Sequence, residues 1–87
     1  MKKGTIIKNN WAGTPEGRYF IYTGINGKYV TGLALWDGKL ENVDYYKDDL
    51  NKTNESGERM FEKVGYSKGF DILKEALRRH IRADRNE

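Results

Sequence analysis

Between residues 18 and 46 the chain reads RYFIYTGINGKYVTGLALWDGKLENVDYY. Apolar side chains recur there at every second position, in three runs separated by Asn26-Gly27 and Asp37-Gly38. A period of two marks strands, and Asn-Gly and Asp-Gly suit the left-handed angles of two-residue hairpin turns. The pattern predicts a three-stranded antiparallel meander. In its first strand, 18–23, Tyr19 and Ile21 fall on one face and Phe20 and Tyr22 on the other, the two-sided apolarity of a central strand. In its second, 28–36, Tyr29, Thr31, Leu33 and Leu35 alternate with Val30, Gly32, Ala34 and Trp36. Gly32 and Ala34 are small enough to permit strong curvature or close approach by another group. The third, 39–46, alternates Leu40, Asn42, Asp44 and Tyr46 with Glu41, Val43 and Tyr45, a half-exposed pattern that belongs near an edge.

The flanks extend this sheet. Residues 4–9 hold the β-branched run Thr5, Ile6, Ile7 and predict a first strand. Residues 10–17, NWAGTPEG, contain the only proline and predict a long first loop. Trp11 in that loop is either an exposed anchor for a partner or, as we expect, a cover over one open end of the sheet. The polar stretch 47–58, KDDLNKTNESGE, is expected to be a mobile surface loop. Residues 59–65 predict a fifth strand, with Met60 and Val64 on one side and Phe61 on the other. Five short strands behind a long first loop predict a small, bent antiparallel barrel of the SH3-like kind over about residues 4–65.

Beyond the sheet the hydrophobic period changes. Phe70, Leu73, Ala76, Leu77, His80 and Ile81 share one arc of a helical wheel, with Lys74, Arg78, Arg82 and Arg85 opposite. This predicts an amphipathic helix over 68–85, capped by Ser67 and with Asp71 in the first turn, its apolar arc packed on the sheet. The fold class is α+β, in a single domain spanning residues 1–87.

Length and composition narrow the function. Eighty-seven residues suit one domain with a small core. The absence of cysteine excludes disulfides, thiolate zinc sites and a cysteine nucleophile. The opening MKKGTIIKNN lacks the apolar stretch of a signal peptide and no run approaches membrane-spanning length, so the expectation is a cytoplasmic protein without a membrane partner. The net charge of +3 is unevenly spread. Residues 1–40 carry six Lys/Arg against two acids, residues 41–58 six acids against two lysines, and residues 68–87 six basic residues against four acidic ones. Such a division can steer nucleic acid to the basic ends or a basic protein surface to the acidic centre.

Few constellations suggest chemistry. His80, the only histidine, lies within the apolar arc and cannot by itself complete a nucleophile–base arrangement, so a packed, hydrogen-bonded role is expected. Asp44, Asp48 and Asp49 lack the glycine turn and closing glutamate of a calcium loop, which makes them a solvated acidic face rather than a metal site. No glycine-rich loop runs from a strand into a helix, so the phosphate-cradling motifs are absent, and no cofactor is expected. The stripe of Lys74, Arg78, Arg82 and Arg85, broadened by Lys68 and Arg79, suits phosphate contact with nucleic acid. It equally suits a solvated helix face with Glu75 pairing weakly to its neighbours.

Two resemblances add to this reading. Lys3-Gly4-Thr5-Ile6-Ile7, followed by a loop and by Gly17-Arg18 opening a strand, resembles the start of the PemK/MazF-type toxin ribonucleases. That resemblance implies a diverged endoribonuclease in which Arg18 holds the scissile phosphate and Thr31 supplies the second catalytic group, with Tyr19 where the family has proline. More of the chain is similar to small proteins of phages and prophages of low-GC Gram-positive bacteria, which combine a K-K-G-x-I-I opening strand, a bent five-stranded barrel, a phrase like FEKVG at 61–65 and a terminal amphipathic helix. This likeness implies a non-enzymatic accessory protein that binds a host protein or nucleoprotein complex, as an anti-CRISPR-like inhibitor of a defence nuclease would. Its candidate contacts are Trp11 and Arg18 in the first loop, Asp44, Asp48 and Asp49 in the acidic segment, and Lys74, Arg78, Arg82 and Arg85 on the helix. The alternative is a small RNA-binding protein or the diverged ribonuclease. An exposed edge near Asn42 leaves the oligomeric state open.

Overall fold

The computed structural model describes residues 1–13, 17–67, 77–79 and 81–83. Five antiparallel strands, β1 (Thr5–Asn9), β2 (Tyr19–Asn26), β3 (Tyr29–Trp36), β4 (Lys39–Tyr46) and β5 (Phe61–Tyr66), form one sheet in the order β4-β3-β2-β1-β5. Residues 77–79 and 81–83 are helical. The fold is α+β and mostly strand.

The meander forms as its alternation predicts, with one shift at the first turn. Asn26 pairs with Tyr29, so the two turn residues are Gly27 and Lys28 rather than Asn26 and Gly27. Gly27 has a φ of 60° while Lys28 is not left-handed, the pattern of a II′ hairpin that needs glycine only at its first central position. The second turn is as expected: Asp37 and Gly38 are both left-handed, at 51° and 77°, as a I′ turn requires.

The sheet is not the closed barrel that five short bent strands predict. Among the described residues β4 and β5 each have one hydrogen-bonded neighbour, so two edges remain. Yet four inter-strand spacings would hold the edges of a flat sheet of this size about 19 Å apart, and the rings of Tyr45 on β4 and Phe61 on β5 lie 5.0 Å apart. The sheet therefore curls until its edges touch through side chains. Register shifts between Ile6 and Ile7 and between Tyr22 and Gly24 supply the bends. Gly32 lets β2 and β3 pack closely on the inner side of the curl, because the Phe20 ring fills the space a β-carbon there would need.

Both faces of β2 are covered. On the concave face Ile7, Phe20, Tyr22, Val30, Ala34 and Phe61 form one buried cluster. On the convex face Ile6, Tyr19, Ile21 and Leu35 are buried together with Leu77 and Ile81 of the helical segment. Each of those two helical side chains contributes about 1.5–3 kcal/mol by leaving water. Arg78, Arg79 and Arg82 beside them are exposed. The rest of the helix expected over 68–85, including Phe70, Leu73 and His80, lies outside the described residues.

Two local expectations change. Residues 47–58 lie at the surface as expected but carry regular structure: Lys47–Asn51 is a 3₁₀ turn, and Thr53 bridges Arg59. Met60 packs with Phe61 in the concave cluster instead of joining Val64 on the convex side. The strand begins only at Phe61, so the two-residue alternation does not reach back to Met60.

Candidate binding groove

The curl leaves a groove on the concave side, between the 3₁₀ turn after β4 and the start of β5, with a volume of about 610 Å³. Its floor is Ile7, Tyr22, Val30 and Phe61, each buried because strand alternation points it into the bend. Leu50 closes one side. Met1 and Ile25 stand at the mouth, 51% and 58% exposed. Ile25 reaches this face because the irregularity between Tyr22 and Gly24 puts it opposite Val30 instead of turning it outward.

The rim is basic. Lys47, Arg59 and Lys63 line the groove together with one acid, Glu62. Glu62 pairs in register with Lys8 and so belongs to the opposite face of β5 from Phe61 and Lys63. No described carboxylate lies within ion-pair distance of Lys47, Arg59 or Lys63. The Arg59 guanidinium is held in place by donating to the Leu50 carbonyl and to Asn51 Oδ1, both at 3.2 Å. An apolar floor with a few positioned polar groups is the usual composition of a binding site.

The residues singled out from sequence lie elsewhere. Trp11 is 37% exposed, and Lys52 Nζ sits 6.0 Å from its ring centre. Trp36, also partly exposed, packs against Gly17, whose φ of 76° and crowded α-carbon admit no side chain. Arg18 is half-buried and donates to the Ala12 carbonyl at 3.5 Å. Thr31 exchanges a hydrogen bond of 3.0 Å with Thr23. Thr23 is five residues along the chain from Arg18, roughly 16 Å of strand, so the two side chains assigned by the ribonuclease resemblance are not brought together.

The acidic trio is also dispersed. Asp44 is exposed on β4 opposite Thr31, away from the groove, Asp48 is exposed in the 3₁₀ turn, and Asp49 lies 4.0 Å from Lys52. No three acidic or histidine side chains converge among the described residues. Arg78 and Arg82 are exposed one helical turn apart, while Lys74 and Arg85 lie outside the described residues.

A second exposed feature sits at the hairpin end. The rings of Tyr29 and Tyr46 are 5.2 Å apart and Lys28 Nζ lies within 5.7 Å of both centres. The hydrogen bond to Tyr46 pushes the Tyr29 phenol above its ordinary value, and the charge of Asp44 adds a smaller push in the same direction.

The chain matches no family model, no curated protein and no solved structure. No helix of the described residues is long and apolar enough to cross a membrane.

The groove was missed in the sequence because its parts are scattered from Met1 to Lys63. The alternation places Ile7, Tyr22, Val30 and Phe61 on one face, but it does not say that the edges curl toward each other and leave a gap. The one available signal was Ile25, an isoleucine immediately before a hairpin turn.

Proposed function

We propose that this chain is a small non-enzymatic binding protein that takes a segment of a protein partner into the groove between the two sheet edges. The observation that carries the reading is the pair Met1 and Ile25, exposed at the mouth of a cavity with an apolar floor. A chain of this size has little apolar area to spare, so a concentrated exposed patch over a cavity suits contact with another molecule.

The order β4-β3-β2-β1-β5 and the touching edges support treating the curled sheet as an open SH3-like barrel. Together with the opening KKGTII strand, they support an accessory protein of the phage type, acting on a host protein or nucleoprotein complex and inhibiting a defence nuclease by occupying its surface.

The test is capture of the partner by the wild-type chain, by Ile25→Glu, and by Arg78→Ala combined with Arg82→Ala. Ile25→Glu changes an exposed side chain, so its fold is checked by circular dichroism and is expected to be retained. The reading requires that one protein be held by the wild type and by the double arginine variant and be lost with Ile25→Glu. Equal capture by Ile25→Glu contradicts it.

A second reading is favoured by one observation, the exposure of Arg78 and Arg82 one turn apart. On that reading the helix holds RNA phosphates. Binding to a generic RNA would then weaken steeply with salt and weaken further in the double arginine variant.

A further inference from the structure

Resting on the groove reading, we infer that the occupant is an extended peptide with the pattern acid–x–apolar–x–acid, added as a strand along the free edge of β5. Three features of the structure meet in this assignment.

The first is an open edge. Up to Met60 the outer side of this segment is occupied: the Met60 amide donates to the Lys52 carbonyl at 2.9 Å, and Thr53 bridges Arg59. From Phe61 onward β5 pairs only with β1 among the described residues. Its outward amides and carbonyls therefore form a template for another strand, beginning where the groove begins.

The second is the order of side chains along that edge. Phe61 and Lys63 follow one another on one face of the open part of the edge, and the Arg59 side chain, just before the strand, lines the groove with them. An incoming strand places an apolar side chain opposite Phe61 and an acid opposite Lys63, and its end, carried past the paired stretch, sets a further acid toward the Arg59 guanidinium, so its complement is acid, apolar, acid at every second residue. The apolar member enters the space above Ile7, Val30 and Phe61.

The third is charge. Lys47, on the far wall, adds a third cation, and none of the three has a described carboxylate within reach. A basic or neutral peptide leaves these charges uncompensated, whereas two carboxylates neutralise them at the rim, where solvent keeps the desolvation cost low.

The experiment uses fluorescein-labelled synthetic peptides read by anisotropy: one with glutamate at both acidic positions and phenylalanine between them, and one with lysine replacing each glutamate. The wild-type chain is expected to bind the glutamate peptide and to leave the lysine peptide unbound. Lys47→Glu with Lys63→Glu, both exposed sites, is expected to weaken the glutamate peptide about tenfold or more and to gain the lysine peptide. Exchange of preference by the variant also shows that it is folded. Ile25→Glu separates the inference from the reading on which it rests. Peptide binding that Ile25→Glu abolishes but charge reversal leaves unchanged overturns the inference and keeps the groove. Peptide binding indifferent to Ile25→Glu overturns both. Saturable binding of octanoate with no binding of either peptide assigns the groove to a small amphipathic anion and overturns the inference.

Discussion

Tyr45 and Phe61 stand on the two outermost strands of the sheet, yet their ring centres are 5.0 Å apart, and Phe20 from the middle strand meets them at 5.0 and 5.9 Å. This aromatic trio is what holds the edges together where backbone hydrogen bonds do not. Phe61→Ala is expected to cost about 3–5 kcal/mol in urea denaturation. A double-mutant cycle of Phe61→Leu with Tyr45→Leu should return a coupling of about 0.5–1.5 kcal/mol. A coupling of zero would mean that the edges are joined by something other than these rings.

The same contact gives the protein a pH limit. Burial pushes the Tyr45 phenol above its ordinary value of 10.0, against a smaller opposing effect of its hydrogen bond with Asn9. The unfolded chain then loses this proton before the folded one does. The contribution is fully present below pH 10 and is lost as pH rises through the higher folded value. Stability measured against pH should decline more steeply on the alkaline side for the wild type than for Tyr45→Phe. Parallel curves would remove Tyr45 from the explanation.

Glycine substitutions distinguish the curl from ordinary loop geometry. At Gly32 a β-carbon collides with the Phe20 ring and comes within 2.8 Å of the Ile21 carbonyl oxygen, whereas at Gly13 nothing lies within 4 Å. Gly32→Ala is expected to destabilise by about 1–3 kcal/mol and Gly13→Ala by less than about 0.5 kcal/mol, read as midpoints of chemical denaturation. Equal effects at the two sites would contradict the close packing of Phe20 over β3.

On the convex face the helical segment divides into stabilising and solvent-facing positions. Leu77 and Ile81 are 0% and 6% exposed within the convex cluster, so either alanine substitution should cost about 2–5 kcal/mol. Arg78→Ala, at an exposed neighbour, should change stability by less than about 0.5 kcal/mol. Thermal melts of the three variants check this directly.

Much of the sheet was legible because its signals are local. Alternation assigned Tyr19 and Ile21 to one face and Phe20 and Tyr22 to the other, and Asp37-Gly38 marked its turn to the residue. Closure was not legible, because it depends on the sum of bends at Ile6/Ile7 and Tyr22/Gly24, and register irregularities leave little trace in a hydrophobic pattern. The candidate site was less legible still. Trp11, Arg18 and Asp44 drew attention as conspicuous residue types, while the groove is built from ordinary core residues such as Val30 and Phe61. Its cations, Lys47, Arg59 and Lys63, read in the sequence as unremarkable surface charge. They acquire meaning only when the curl sets them around one rim.

The most direct test of the central claim is amide chemical-shift mapping of the isotope-labelled chain titrated with the glutamate–phenylalanine peptide. The account predicts shifts concentrated at Ile25, Val30, Leu50, Phe61 and Lys63, with Arg78, Arg79 and Arg82 unmoved. Shifts confined to the helical arginines, with the groove silent, would contradict it.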